Sequence, residues 1–389
     1  MPRGKRVKED ENSKKGLKIF VVVLLVIIAI AGGVLGYKYY KDMTNTEEVF
    51  VAAEEPEEPE IVEEVKQVQI YKGTDRPIAV MIDNHSDAWP QAGLNDTYMV
   101  YEIIVEGGET RLMPVFKGAN LEKIGPIRSS RHYFLDYALE NDAIYVHFGW
   151  SPQAEKDIRN LNVNNINGIS ESTSNFWRVK DKKAPHNAVT NTSKILEMAN
   201  EKKYKTTSSE KSVLNYVADE FTLSEKYKTK SETESETDAD TDTTATATPS
   251  TDTMVEVKTA NKVVIPHSKL HKVIYTYNAE TKRYSRTARN KAQTDWDTKE
   301  PITTKNIIIE FINNTDLNDG ENKGRQNLNT VGTYDGYYIT NGEAIKIKCT
   351  KSSRSAKTVY KDLSGEEINV NDGNTWVNIC PKNAAIAME

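Results

Sequence analysis

Cysteine is nearly absent. Only Cys349 and Cys380 occur in 389 residues, too few for a disulfide-built scaffold and without metal-ligand spacing. They form one bridge in an oxidising compartment or remain two buried thiols, and the sequence leaves both open. A strong excess of one charge is also lacking, since 51 Lys and Arg face 57 Asp and Glu for a net charge of −6. That balance argues against nucleic-acid recognition through a broad basic surface. Histidine is scarce, at six residues, and none sits in a His-Glu-x-x-His pattern. A nucleophile elbow, a phosphate-binding loop and a dinucleotide fingerprint are missing too, so neither a cofactor nor a metal is expected. No repeat of fixed period is evident.

One long apolar run is present. Residues 1–18 form a basic tail with Arg3, Lys5, Arg6, Lys8, Lys14, Lys15 and Lys18, and residues 19–37 are uncharged and strongly apolar. At ~1.5 Å per residue such a run spans roughly the ~30 Å hydrocarbon core of a bilayer. Cations before it and acids after it place the N-terminus in the cytoplasm and the rest outside. A single-pass signal anchor is therefore expected. The competing reading is a cleaved signal peptide, for which Ala29-Ile30-Ala31 resembles a cleavage site. No cysteine lies nearby to be acylated.

Residues 38–75 read as an acidic Pro/Glu stalk around Glu54-Glu55-Pro56-Glu57-Glu58-Pro59-Glu60, where like charges and prolines prevent a packed core. A first α/β part is expected over 76–223. Its strands are Ile78–Ile82, Val100–Val105, Arg111–Phe116 and Ala143–Phe148, each a short apolar run. Glu106-Gly107-Gly108-Glu109 supplies the turn of a hairpin. Helices are expected over 129–141, after Pro152 with Ser151 as cap, over 192–203 with Thr192 or Ser193 as cap, and over 212–221. Residues 224–253 are acidic, rich in Thr and Ser, and almost free of apolar side chains, the composition of a disordered insertion. From 254 to 383 the chain is β-rich, with turns at Asn341-Gly342, Ser364-Gly365 and Asp372-Gly373. The fold class is α+β.

The most suggestive stretch is Gly125-Pro126-Ile127-Arg128-Ser129-Ser130-Arg131. Two serines before an amphipathic run suit a helix N-cap, whose free N–H groups favour an anion. Arg128 and Arg131 add forked donors there. Arg111, Arg128, Ser129, Ser130, Arg131, His147, Trp177 and His186 are the candidate ligand-binding residues. Asp83, His85 and His147 are the alternative acid–base set. For every one of them a structural role competes: Ser129 and Ser130 as plain caps, the arginines in ion pairs with Glu102, Glu106 or Asp136, the histidines as hydrogen-bonded core groups.

These residues carry a family resemblance. RPIAVMIDNH (76–85), PQAGL (90–94), VYEIIVEGGETR (100–111), IGPIRSSRHYF (124–134), SPQAEKDI (151–158), FWR (176–178) and PHN (185–187) resemble the YerB-like family of bacterial extracytoplasmic proteins, a domain of unknown function. TYNAETKRYSR (276–286) and GEEINVNDGNTWVNICP (365–381) resemble its β-rich C-terminal part. The resemblance implies a layered β/β/α-type sandwich in which the C-terminal half packs on the N-terminal half. It implies no reaction and supplies no catalytic residues. Many such proteins are lipid-anchored, whereas this chain carries a membrane helix instead.

The expectation is a membrane-anchored, extracytoplasmic, non-enzymatic module that binds an anionic envelope ligand or an envelope protein. The alternative is a hydrolase or transferase acting on envelope polymers.

Overall fold

Apolar side chains alternate in direction along a strand, so one strand can feed two cores. Here Ala79 and Met81 enter one apolar cluster while Ile78, Val80 and Ile82 enter another. The structure, a computed structural model, describes residues 11–44, 66–228 and 255–389. Most of the stalk and of the acidic insertion lies outside the described residues. The chain divides into two compact units, Met1–Glu64 and Val65–Glu389. The first contains α1 (Glu11–Thr44), whose Phe20–Thr44 portion is long and apolar enough to cross a membrane.

The second unit is built on a 12-stranded mixed sheet. Its main strands are β1 (Ile78–Val80), β2 (Met99–Ile104), β3 (Thr110–Phe116), β4 (Ile144–His147), β5 (Asn165–Asn167), β6 (Val257–Thr259), β7 (Asn306–Ile312), β8 (Gly332–Thr340), β9 (Glu343–Lys351) and β10 (Thr375–Pro381). They lie in the order β6-β9-β8-β7-β10-β2-β3-β1-β4-β5. β10 runs parallel to β2, with Thr375 opposite Met99 and Ile379 opposite Ile103. The two halves of the chain thus share one sheet rather than only packing face to face.

One face of that sheet is covered by α2 (Phe134–Glu140) and α3 (Pro152–Asn160), which contribute Phe134, Leu135, Tyr137, Ala138 and Ile158 to a core with Tyr101, Ile103, Met113 and Ile308. The other face is covered by a smaller antiparallel sheet of Lys262–Pro266, Lys272–Asn278 and Arg283–Ala288. Val263, Ile265, Val273, Tyr275 and Tyr284 from it meet Val100, Leu112, Ile307 and Trp376. α4 (Thr192–Glu201) closes the same core with Ile195 and Met198. Sheet, sheet and helices make a layered α+β sandwich.

Several local expectations are corrected. Residues 129–133 are not helical, because the backbone of Ser130 bridges Trp150 and its N–H donates to the Gly149 carbonyl. α2 therefore starts only at Phe134. Residues 212–221 hold a short strand, Asn215–Val217, paired in parallel with Asn369–Asn371. In both places pairing with distant backbone outweighs a weak local helix preference. α4 is capped by Asn191, whose side chain accepts the Lys194 N–H. The packed unit begins before Arg76, since Val68, Ile70 and Tyr71 lie against the core. It also runs past residue 383, where Ala387–Met388 pairs with Val263 and Val264. Cys349 and Cys380 are both buried free thiols.

Candidate functional site

The end of β1 and the turn of the β2–β3 hairpin place polar residues at one rim of the main sheet. Gly107 and Gly108 adopt φ of 68° and 73°, a region open to glycine at little cost. That tight turn presents Glu106 and Glu109 to the same side as Arg111. The segment after Gly125 then threads between strand ends. Arg128 donates its N–H to the Met81 carbonyl and accepts from the Phe148 N–H, so its backbone is fixed by both β1 and β4. Gly125 itself has no room for a side chain, because a Cβ there would come within 2.9 Å of Val189 Cγ1 and 3.0 Å of the Ala188 carbonyl.

Around these elements lies a cavity of about 410 Å³ lined by Asp83, His85, Glu106, Glu109, Arg111, Arg128, Arg131 and His186, with Lys323 and Arg325 at its edge. Asp83 is its buried hub. One carboxylate oxygen accepts the His85 backbone N–H at 3.0 Å. The other accepts His186 Nδ1 at 2.7 Å and lies 3.1 Å from Arg128 Nε. The His186 ring stacks on His85 at 4.6 Å between centroids. With Nδ1 donating to the carboxylate, His186 keeps Nε2 as its acceptor.

Arg131 grips Glu106 through both Nε, at 2.5 Å, and Nη2, at 2.9 Å. Arg111 donates to the Ser129 carbonyl at 2.5 Å and lies 3.9 Å from Glu106. Burial, reinforced by the charge of Arg131, brings the Arg111 pKa down to about 10, so it stays charged at neutral pH. Burial would raise the Glu106 carboxyl, yet the Arg131 hydrogen bond and charge hold it below its usual range. Lys323 and Arg325 are engaged by Asp319 and Glu321, and Glu109 pairs with Arg289. What remains is Arg111, Arg128 and Arg131 against Asp83 and Glu106, one cation in excess. Among the described residues, no protein acceptor takes the terminal nitrogens of Arg128, which is paired through Nε alone. Planar, unpaired guanidinium nitrogens in a partly buried cavity suit an oxyanion.

A buried ion network lies behind this cavity. Glu102 accepts from Thr110 Oγ1 at 2.8 Å, His271 Nε2 at 2.8 Å and Arg286 Nη2 at 2.6 Å. Burial opposes its charge, but Arg286 and the two histidines His267 and His271 hold the carboxyl well below the normal range. Through Thr110 and Asn84 the network reaches the cavity wall.

The structure gathers Arg111, Arg128, Arg131, His186, Asp83 and His85 at one cavity. Ser129, Ser130, His147 and Trp177 stand apart. The Ser129 hydroxyl donates to the Phe148 carbonyl, and Ser130 accepts from Tyr145 in the core at 2.7 Å. His147 is fully buried between the Gly149 carbonyl and Asn165, where burial lowers its pKa to about 4. Trp177 packs with Val189 and Trp296. The helix N-terminus expected at Ser129–Ser130 lies instead at Phe134, and the arginines reach the cavity from strand ends and an extended segment. Lys323 and Arg325 carried no local sequence signal. Glu106 and Glu109 were visible as acids near Arg111 and are now its cavity partners. His85, Asp87 and His186 offer nitrogen and carboxylate atoms within 4.8 Å of one another, a grouping that could hold a metal ion.

A layered α+β sandwich with an arginine-lined cavity at its strand ends is the class that fold and site define. Residues 65–205 match the N-terminal domain, and residues 263–377 the C-terminal domain, of the family described as protein of unknown function (DUF3048). YerB of Bacillus subtilis (strain 168), described as a candidate lipoprotein, is 28% identical over 314 residues, 79% of this chain and 81% of that protein. The crystal structure of YerB from Bacillus subtilis aligns with a TM-score of 0.67 at 25% identity, covering 83% of this chain and 100% of that one. The chain belongs to the YerB-like family.

Proposed function

We propose that this protein is a membrane-anchored extracytoplasmic module that binds an anionic ligand in the cavity of Arg111, Arg128, Arg131 and His186. The single observation that carries this reading is Arg128, held by Asp83 through Nε with its terminal nitrogens left to the cavity. Anchoring rests on the apolar helix, and orientation on the basic residues before it.

Thermal unfolding of the full chain in a non-ionic detergent, titrated with inorganic phosphate, tests the reading. A saturable rise in Tm is expected, weakened by salt and absent in Arg128→Ala. An unchanged Tm in the wild type at every phosphate concentration would sink it.

The Asp83–His186 pair favours a second reading, acid–base chemistry on an envelope polymer. A carboxylate that fixes one ring nitrogen leaves the other oriented to take a proton. Release of new polymer ends by wild type but not by His186→Ala would support it.

A further inference from the structure

A second cavity adjoins the first. It has a volume of about 480 Å³ and is lined by Ser86, Trp89, Pro90, Arg289, Lys291 and Thr294 among others. The two linings meet at two points. Ser86 of the second follows His85 of the first in the chain, and Arg289 of the second is ion-paired to Glu109 of the first. Among the described residues no acidic side chain lines the second cavity. Lys291 is exposed there and makes no ion pair with any described residue. Trp89 is held in place by its indole N–H, which donates to Asn84 at 3.0 Å.

Among the described residues, each cavity therefore offers one cation whose terminal N–H groups no side chain takes, Arg128 in the first and Lys291 in the second. A fixed indole lies in the wall of the second. A lone phosphate or carboxylate satisfies one of these cations and leaves most of both volumes unfilled. A chain with anionic groups at intervals satisfies both, its spacer lying along Trp89.

We infer that the ligand is an oligomer or polymer bearing repeated phosphate or carboxylate groups, which lies across both cavities. This deepens the reading above and rests on it. Two linked anions gain from effective concentration, because the second contact forms within an already bound chain. The chain passes from one cavity to the other beside the Glu109–Arg289 pair.

The test compares linear polyphosphate with inorganic phosphate, and oligogalacturonate with galacturonic acid, on the full chain in non-ionic detergent by calorimetry. At least one oligomer is expected to bind about 10-fold or more tightly than its monomer, counted per anionic group. Lys291→Ala is expected to bring that oligomer down toward its monomer while leaving monomer affinity unchanged. Arg128→Ala is expected to abolish monomer binding and to weaken the oligomer. The arm that shows the gain identifies phosphate or carboxylate as the repeated group. Equal affinity per anionic group in both arms, or an oligomer affinity untouched by Lys291→Ala, overturns the two-cavity ligand while leaving anion binding standing. Failure of every probe, monomers included, overturns the underlying reading instead.

Discussion

Asp83 and His186 meet at 2.7 Å although 103 positions separate them in the chain. The contact joins the end of β1 to a loop after α3, and the same carboxylate also holds Arg128. One buried side chain thus sets the position of three cavity groups, counting the backbone of His85.

Asp83→Asn tests that role. Loss of the charge weakens the hydrogen bonds to His186 and Arg128, and contacts to a charged group contribute about 1.5–3 kcal/mol. Chemical denaturation is expected to show a loss of about that size. A stability equal to wild type would mean the cavity groups hold themselves.

Glu102→Gln is expected to cost more. The residue is fully buried and answers Arg286 and His271, so removing its charge strands Arg286 between the sheets. Breaking one side of a buried pair typically costs about 3–5 kcal/mol. Denaturation midpoints of Glu102→Gln, of Arg286→Met and of the Glu102→Gln/Arg286→Met double variant separate the effects. The double variant is expected to recover part of the loss, and a double variant worse than the sum of the singles contradicts the pairing.

Glu310 lies in the opposite core, with Tyr360 donating to it at 2.7 Å. Burial raises its pKa from 4.5 to about 7. The folded protein then holds this proton across a window in which the unfolded chain has released it. Its contribution to stability is complete below pH ~4.5 and is lost as pH rises through about 7, by an amount on the order of 3 kcal/mol. Urea denaturation across that range should therefore show wild type losing stability relative to Glu310→Gln. Parallel pH profiles would show that Glu310 titrates normally.

His147 gives the opposite slope. Burial lowers its pKa from 6.5 to about 4, so the unfolded chain binds the proton first as the solution is acidified. Stability from the neutral ring is full above pH ~6.5 and is lost as pH falls through about 4. His147→Gln removes this component, so the gap between the two profiles should be constant above pH ~6.5 and should change only as pH falls from there to about 4. A difference that persists unchanged at pH 8 and pH 4 would assign His147 a purely steric role.

Much of the fold is legible along the chain because its signals are local. Ile78–Ile82, Arg111–Phe116 and Ile307–Ile312 are short apolar runs, and such runs read as strands wherever they pack. The turn glycines at 107, 108 and 342 are likewise visible, since positive φ is a property of the residue itself. The apolar segment that forms the middle of α1 needs no partner to be recognised.

The site was legible only in part. Arg128 and Arg131 stand out beside Gly125-Pro126, but Ser129 and Ser130 read equally well as helix caps. Only the backbone bridge between Ser130 and Trp150 decides against that, and such pairing depends on chain that is distant until the sheet forms. The fate of His147 and His186 shows the same limit. Two histidines of equal sequence standing end as a buried core group and a cavity group, because the first lies on a strand paired on both sides and the second on a loop. Composition and periodicity by themselves determined the apolar helix, the strands and the α+β class. Which arginine keeps its terminal nitrogens free of the described side chains, and which acids answer the others, was decided only when long-range contacts brought residues 83, 106, 128, 131 and 186 around one cavity.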